Sequence, residues 1–599
     1  MSSPETILQS TFGFDAFRPG QGEVINALVS GENVLAVMPT GAGKSLCYQV
    51  PALLFERPTI VISPLVALMD NQVAGLRMNG VKVSALHSGQ SREDNVAEWQ
   101  AVTHGDTKIL YMSPERLMTG RMLSAMQALN PAMFVVDEAH CVSKWGPAFR
   151  PEYADLQRLK ELFPKARMAA FTATADELTQ KDIADKLFSG QGRTIVQGFD
   201  RPNLSLAVSP LRGRREQLLE FMKTASGQSG IVYCLSRKNT EKFAQVLVAA
   251  GYNALPYHAG MPAEARYENQ ERFMAEEGVI MVATIAFGMG IDKPDIRFVY
   301  HMNIPGSLEA FYQEIGRAGR DGNPAVTALI YGLDDIRMRR QFISDDGNDS
   351  EHQMREHKRL DALLGYCEAS GCRRAVLLNY FGEQTSPCGN CDNCISPPEM
   401  IDATEPAKAL FRAISQTGQR FGTNHVIAVA RGEANDRVLQ FSHDNLDAYG
   451  QGSDYGKPYM QALIRQAVGA GIISMDISRY GALTLEAGAL DILADQGKFE
   501  CKNLAVGRVG KAAKKASKAL AETALNPDEQ GLLAKLKLLR MEFAREIGKP
   551  AFVVFSDATL RDMVAKVPTN KAEMLDVSGV GETKFARYGE AFLGLIQNA

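Results

Sequence analysis

The fold class that the sequence predicts is α/β, with two parallel-sheet lobes followed by smaller, largely helical units, and three observations predict it. Between Phe12 and about Leu187, short apolar runs (NVLAVM, TIVIS, KILYMS, MFVVD, RMAAFTA) alternate with helical patterns. Such alternation points to parallel strands covered by helices. The series then repeats, with GIVYC from 230, VIMVAT from 279, RFVYHM from 297 and TALIYG from 327. Beyond about Asp334 the character changes. A helical, cysteine-bearing segment gives way to a compact mixed segment from about Glu405 to Asp495, and the chain is helical again from about Asn526.

The first element to justify is VLAVMPTGAGKSLCYQVPALL, Val34 to Leu54. Val34 to Val37 read as a buried strand, Pro39 to Gly43 as a tight turn and Lys44 onward as a helix start, which together form a phosphate-binding arrangement. Gly41 and Gly43 let the backbone approach an anion. Lys44 offers a point charge to the outer phosphates of ATP or GTP, and the Ser45 hydroxyl is a ligand for Mg2+. The general pattern asks for a glycine where Met38 stands, so the match is incomplete. A glycine turn ahead of an ordinary helix is the competing reading.

Next comes MFVVDEAHC, in which Asp137 and Glu138 directly follow an apolar strand and emerge at the carboxyl edge of the sheet, where ligands bind. Asp137 is expected to hold magnesium through water, and Glu138 to polarise the attacking water. Alone, the pair would read as a helix cap. The upstream phosphate loop reverses that preference. In the second series, YQEIGRAGRDG sets Arg317 and Arg320 one helical turn apart, so that both guanidinium groups reach one side of an interlobe cleft. An arginine reaching across lobes suits phosphoryl transfer, whereas a solvated basic face is the bland alternative.

Cys372, Cys388, Cys391 and Cys394 form a C-x15-C-x2-C-x2-C set. Four thiolates suit a closed, structural tetrahedral Zn2+ site. An iron–sulfur cluster is the rival, but the fourth cysteine and following proline of a ferredoxin run are absent downstream. Cys47, Cys141, Cys234, Cys367 and Cys501 read as ordinary thiols.

Bulk properties bound the rest. A chain of 599 residues, 45% hydrophobic and 22% charged, holds roughly four domains. It has no run of about 18 apolar residues and no apolar signal core at its start, and it is expected to be soluble and cytoplasmic, with no membrane partner. Nine cysteines without a secretion signal argue against a disulfide framework. A net charge of −4 leaves nucleic-acid binding open, because local basic surface decides it. Residues 501 to 519 carry only positive charges among small residues and read as an exposed linker, from which the terminal module is expected to move freely.

In order along the chain, MPTGAGKS, SPLVALMDNQ, DEAH, FTATA, VATIAFGMGIDKPDIRFVYH and YQEIGRAGRDG follow the pattern of a superfamily 2 helicase, and nearly the whole chain resembles a RecQ-family DNA helicase. The resemblance implies two RecA-like lobes, 1–205 and 206–335, then a helical zinc-binding module, 336–402, and a winged helix, 403–495. A basic linker, 496–525, and an all-helical HRDC domain, 526–599, complete it. It implies that Phe14 stacks on adenine while Arg18 and Gln21 recognise it, and it adds Thr40 to the nucleotide-binding loop and His140 to the catalytic group. By the same carry-over Asp292 and Gln313 line the interlobe cleft, and Thr172 and Thr174 couple hydrolysis to movement.

WGPAFRPEY resembles the family's aromatic-rich loop, with Trp145, Phe149 and Arg150 as DNA contacts, bases stacking at about 1 to 3 kcal/mol each. The family's His-Asp is Pro147-Ala148 here, which puts the link between DNA contact and ATP turnover in question; Trp145 as core packing is the alternative. IISMDISRYGALTL carries a hairpin signal. As the wing, it would set Tyr480 against the terminal base pair, although a plain surface tyrosine fits too. Gly579, Gly581 and Lys584 in the last domain suit either phosphate or helix-turn packing. The implied partners are single-stranded and duplex or forked DNA, with a single-strand-binding protein and a topoisomerase. The implied protein is a nucleoid-associated monomer moving 3′ to 5′.

Overall fold

Strands buried on both faces need no polar alternation, and the first lobe is built from such strands. They are β1 Val34–Val37, β2 Thr59–Ile62, β3 Val83–Leu86, β4 Ile109–Met112, β5 Met133–Val136, β6 Arg167–Thr172 and β7 Arg193–Val196. Every residue of β1 to β5 is buried, as expected of a parallel sheet sandwiched between helices. The sheet order is β3-β4-β2-β5-β6-β1-β7, all parallel, which puts β5 at its centre and β1 two strands away, between β6 and the edge strand β7. The computed structural model describes all residues except 1–2, 40, 65, 144–150, 174, 176, 289–292, 346–349, 477–478, 480–481, 504–525, 549–550 and 599.

The second lobe is a six-stranded parallel sheet in the order β10-β11-β9-β12-β13-β8. Its strands are β8 Leu204–Pro210, β9 Gly230–Tyr233, β10 Ala254–Tyr257, β11 Ile280–Ala283, β12 Phe298–His301 and β13 Ala325–Tyr331. β8 pairs with β13 from Leu204, so the second sheet begins two residues before position 206.

Helices Ser350–Glu368 and Arg373–Tyr380 lead from the second lobe to the cysteine loop. Glu368, the last residue of the first of these helices, is a junction. It pairs with Arg465 at 2.6 Å and Lys502 at 3.3 Å and accepts the hydroxyl of Tyr331, the last residue of β13. Burial works to raise the Glu368 carboxyl, but Arg465, Lys502 and Tyr331 outweigh it and hold it below the usual range. One buried carboxylate thus joins lobe, module and the next domain.

That next domain packs helices Thr404–Gln416, Thr423–Arg431 and Lys457–Gly469 beside an antiparallel hairpin, Ile473–Asp476 with Ala482–Leu485. The hairpin confirms the alternation in IISMDISRYGALTL. Its tip, with Tyr480, lies outside the described residues. Met400–Asp402 pairs antiparallel with Glu500–Lys502, so the domain closes on itself seven residues beyond Asp495.

The terminal domain contains helices Pro527–Glu546, Asp557–Lys566 and Glu590–Gln597. A freely moving module was the expectation; instead, this domain sits across both lobes. On the first lobe, the Gly579 amide donates to the Gly13 carbonyl at 2.7 Å, and Met78 is buried in the terminal domain's own core. Arg587 and Tyr588 approach the Met78 sulfur at 3.7 and 3.6 Å. On the second lobe, Glu277 pairs with Lys537 at 2.7 Å and Arg540 at 3.8 Å. The Gly579 amide, a candidate phosphate donor, is thus taken up by Gly13 in this arrangement. The basic segment 504–525 lies outside the described residues.

Candidate nucleotide site and zinc module

The phosphate loop forms where β1 ends. Met38 continues β1 by one residue, its amide donating to the Thr172 carbonyl at 2.9 Å, and its side chain is fully buried. That burial explains why a methionine stands at the expected glycine. Gly41 and Gly43 have φ of +86° and +80°, a left-handed backbone that other residues adopt at a cost, and the helix Lys44–Leu54 starts immediately after. A Cβ at Gly43 would lie 2.5 Å from the Gln21 amide nitrogen. Thr40 lies outside the described residues.

Arg18 and Gln21 brace this loop. Gln21 Nε2 donates to the Ala42 and Gly43 carbonyls at 3.0 and 3.1 Å, and its Oε1 accepts the Arg18 amide at 2.9 Å. Arg18 Nη1 donates to the Gly41 carbonyl at 2.6 Å. The Gln21 amide nitrogen is thereby engaged by the loop, and Gln21, buried beneath it, does not itself line the cleft.

Asp137 and Glu138 follow β5, as expected. Glu138 turns into the left-handed region, φ +50°, which starts the short helix Ala139–Val142. Its backbone amide donates to Asp137 Oδ1 at 3.0 Å. Burial and the adjoining Glu138 carboxylate raise the Asp137 carboxyl well above its ordinary range. Burial also works to raise Glu138, yet Lys44, His140, Arg317 and Arg320 together hold it low. Glu138 Oε2 is buried with no hydrogen-bond partner among the described residues; His140 Nδ1 stands 3.4 Å away and itself meets Thr172 Oγ1 at 3.0 Å. His140 and Thr172 thereby connect the carboxylates to the end of β6.

From the second lobe come Gln313, Arg317 and Arg320. The helix Leu308–Ile315 ends before the arginines, and Gly319 (φ +57°) turns the chain, so the expected helical spacing of Arg317 and Arg320 is corrected to a turn. Their convergence survives the correction. An open cleft of about 480 Å3 is lined by Phe14, Arg18, Gly41, Gly43, Lys44, Ser45, Asp137 and Glu138 from one lobe and by Gln313, Arg317 and Arg320 from the other. That volume lies within the usual range for small-molecule sites. Leu68 and Gln72, inside SPLVALMDNQ, line it too. The terminal domain adds Phe552, Ser556, Thr559 and Ser578, a wall for which the sequence holds no motif. Asp292, Thr174, Trp145, Pro147, Ala148, Phe149 and Arg150 lie outside the described residues.

The sulfur atoms of Cys372, Cys388, Cys391 and Cys394 lie within 4.8 Å of one another. Zn–S bonds of about 2.3 Å in a tetrahedron need sulfurs about 3.8 Å apart, a small contraction from this arrangement. Backbone amides already serve the sulfurs: Cys388 N donates to Cys372 at 3.3 Å, Asn390 N to Cys388 and Cys394 N to Cys391 at 3.4 Å. The hydrogen bond from Cys391 holds the Cys388 thiol well below its ordinary value and raises Cys391 in turn, so the two sulfurs share one proton. Asp392, buried and paired with Arg373 at 2.6 Å, also accepts the Val208 amide at 3.0 Å and fixes the loop to β8. The donor set fits a closed zinc site.

Known families match each unit in turn. Residues 18–183 match the DEAD/DEAH box helicase family, 213–322 the helicase conserved C-terminal domain, 333–395 the RecQ zinc-binding domain, 397–506 the RQC domain and 529–596 the HRDC domain. The chain is 41% identical to the ATP-dependent DNA helicase RecQ of Haemophilus influenzae, covering 99% of this chain and 95% of that one. With RecQ of Pasteurella multocida the identity is 40% over 99% and 93% of the two chains, and with RecQ of Bacillus subtilis 36% over 99% and 98%. Two parallel-sheet lobes facing each other across the cleft, a four-cysteine module and full-length likeness to these proteins agree: the chain belongs to the RecQ family of ATP-dependent DNA helicases.

Proposed function

We propose that the protein unwinds duplex and branched DNA, moving 3′ to 5′ at the expense of ATP, and serves repair and recombination. The observation that carries this reading is the meeting of Lys44, Ser45 and Glu138 with Gln313, Arg317 and Arg320 in one interlobe cleft. A triphosphate bound there would touch both lobes, so its cleavage changes what holds them together.

Lys44 and the loop amides receive the outer phosphates, while Phe14 and Arg18, both on the cleft wall, meet the base and Gln21 supports the loop from below. Ser45 and Asp137 would hold Mg2+, which supplies charge neutralisation at the phosphates. Glu138, held low by Lys44, His140, Arg317 and Arg320 and with no hydrogen bond to Oε2 among the described residues, orients the attacking water and draws off its proton. Arg317 and Arg320 neutralise charge that builds on the transferred phosphoryl group. Ordering these groups requires the lobes to approach, and release of phosphate lets them part.

Separating one base-pair step costs on average about 1.4 kcal/mol of stacking, so repeated cycles are needed and the strands must be kept apart. Lobe movement meets the first requirement. The winged helix, tied to the second lobe through Glu368, supports the second by holding the duplex while the lobes draw a single strand. Family likeness supports the polarity, a place in the cytoplasm at the nucleoid, and a single-strand-binding protein and a topoisomerase as partners. No helix among the described residues is long and apolar enough to cross a membrane.

Strand displacement on forked DNA and RNA tests the proposal. DNA unwinding by the parent that Lys44→Ala abolishes supports it; displacement confined to RNA, or DNA binding without displacement, overturns it.

A further inference from the structure

The link between β7 and β8 joins the lobes, and each residue from Phe199 to Asn203 is tied to the second lobe or the zinc module. The Phe199 amide donates to Glu383 at 2.6 Å, its carbonyl accepts the Tyr312 hydroxyl at 2.9 Å, and its ring stacks 4.6 Å from Phe381. Asp200 pairs with Arg374 at 2.5 Å, and the Pro202 carbonyl accepts from Asn390 at 3.3 Å. Arg201 is thereby held between two fixed neighbours.

Its guanidinium reaches the turn that carries the cross-lobe arginines. Nη2 donates to the Ala318 and Gly319 carbonyls at 3.0 and 2.8 Å, and Nη1 to Gly316 at 3.4 Å. Asn203 Nδ2 holds the same turn through the Gly319 and Asn323 carbonyls, each at 2.9 Å. On the other side stands the phosphate loop. A Cβ placed on Gly41 would lie 3.2 Å from Arg201 Nη1 and 3.3 Å from Arg320 Cγ, so Arg201, Arg320 and the loop meet at one point.

A turn needing only partners for its carbonyls would be served as well by a neutral amide, and more cheaply. A third cation here is unfavourable in isolation: burial, with Arg320 and Arg18 close by, holds the Arg201 pKa below its ordinary value. Such crowding becomes favourable once a polyanion lies among the charges. We infer that Arg201 is a positioning residue that presents Arg317 and Arg320 to the bound triphosphate by fixing the Gly316–Gly319 turn against the phosphate loop. The inference rests on the proposed nucleotide site. Arg201 acts through its neighbours: it donates to three carbonyls of the turn and is not among the residues that line the cleft.

The experiment measures steady-state ATP turnover of the full-length, zinc-loaded protein with saturating single-stranded DNA. Arg201→Ala is expected to lower kcat by about 10- to 100-fold with KM for ATP within about threefold, the loss expected of a misplaced group. Arg201→Lys, which keeps charge and one donor direction, recovers part of it. The triple variant Arg201→Ala/Arg317→Ala/Arg320→Ala should turn over no more slowly than Arg317→Ala/Arg320→Ala, because Arg201 acts only through the two arginines already removed. Multiplying losses overturns the inference, as does a raised KM with unchanged kcat. Should Arg201→Ala fail to fold, Arg201→Lys and Asn203→Ala, each combined with Arg317→Ala/Arg320→Ala, give the same comparison. Arg317→Ala and Arg320→Ala alone test the underlying site: wild-type turnover in both sinks the cross-lobe role itself, whereas slow singles with multiplying effects sink only the assignment of Arg201.

Discussion

Glu138 shows how a single residue is prepared for its task. Its strained backbone is fixed by neighbours rather than relieved, and Lys44, His140, Arg317 and Arg320 set its charge from both lobes. Glu138→Gln keeps the shape and removes the base. Its kcat for ATP is expected to fall by about 100- to 10,000-fold with nucleotide affinity retained, measured by turnover and by titration with a fluorescent nucleotide. Gly43→Ala acts by a different cause. With φ at +80° and the new carbon meeting Gln21 at 2.5 Å, the loop has to shift, and ATP binding in the same titration should weaken by about tenfold or more. Lys44, Ser45, Asp137 and Glu138 were legible in the sequence because phosphate chemistry demands those residue types at fixed local spacings. Gln21 as a brace, and Arg201, were not, since their partners lie 21 to 118 positions away and leave no spacing to read.

At the scale of elements, short apolar runs disclosed β1, β2, β4, β5 and β6 because central strands must be apolar throughout. β7 escaped notice: it is an edge strand with one buried residue in four, and so has neither pattern. The spacing of Arg317 and Arg320 allows a helix, but Gly316 caps the helix before them and Gly319 turns the chain between them. The winged helix carries a prediction of its own. His425 and His443 meet at 2.8 Å in an aromatic nest with Phe421 and Phe441. Burial first, then His443 and Arg437, push His425 down to about 4, against an ordinary value of 6.5. Between those values the unfolded chain binds the extra proton, so stability rises with pH through that window and is level above it. The melting midpoint followed by circular dichroism should fall as pH drops from about 6.5 toward about 4, and His425→Phe should flatten that slope. For the cysteine loop, a colorimetric assay of denatured protein should find zinc with no visible absorbance band in the native state, and a chelator should lower the melting temperature.

Across the whole molecule, the order of units was legible from composition and motif, but their mutual placement was not. Docking of the terminal domain depends on Met78, Gly13 and Glu277, none of which stands out in its own neighbourhood of sequence. Glu277→Lys reverses the attraction to Lys537 and Arg540 and is expected to speed hydrogen exchange at the Gly579 amide, read by mass spectrometry of the peptide that contains it. Unchanged protection there would mean that the contact with the second lobe contributes nothing to docking.

Met78 gives this contact a particular character. A side chain belonging to the first lobe serves as a plug in a socket formed by a domain more than 400 residues further along. Withdrawing it would leave a hollow of the kind that costs about 2 to 5 kcal/mol when a large apolar side chain is deleted from a core. Detachment is therefore a discrete event with an unfilled socket at its end, and whatever draws the terminal domain away, a stretch of DNA included, must supply comparable free energy or offer that socket another occupant.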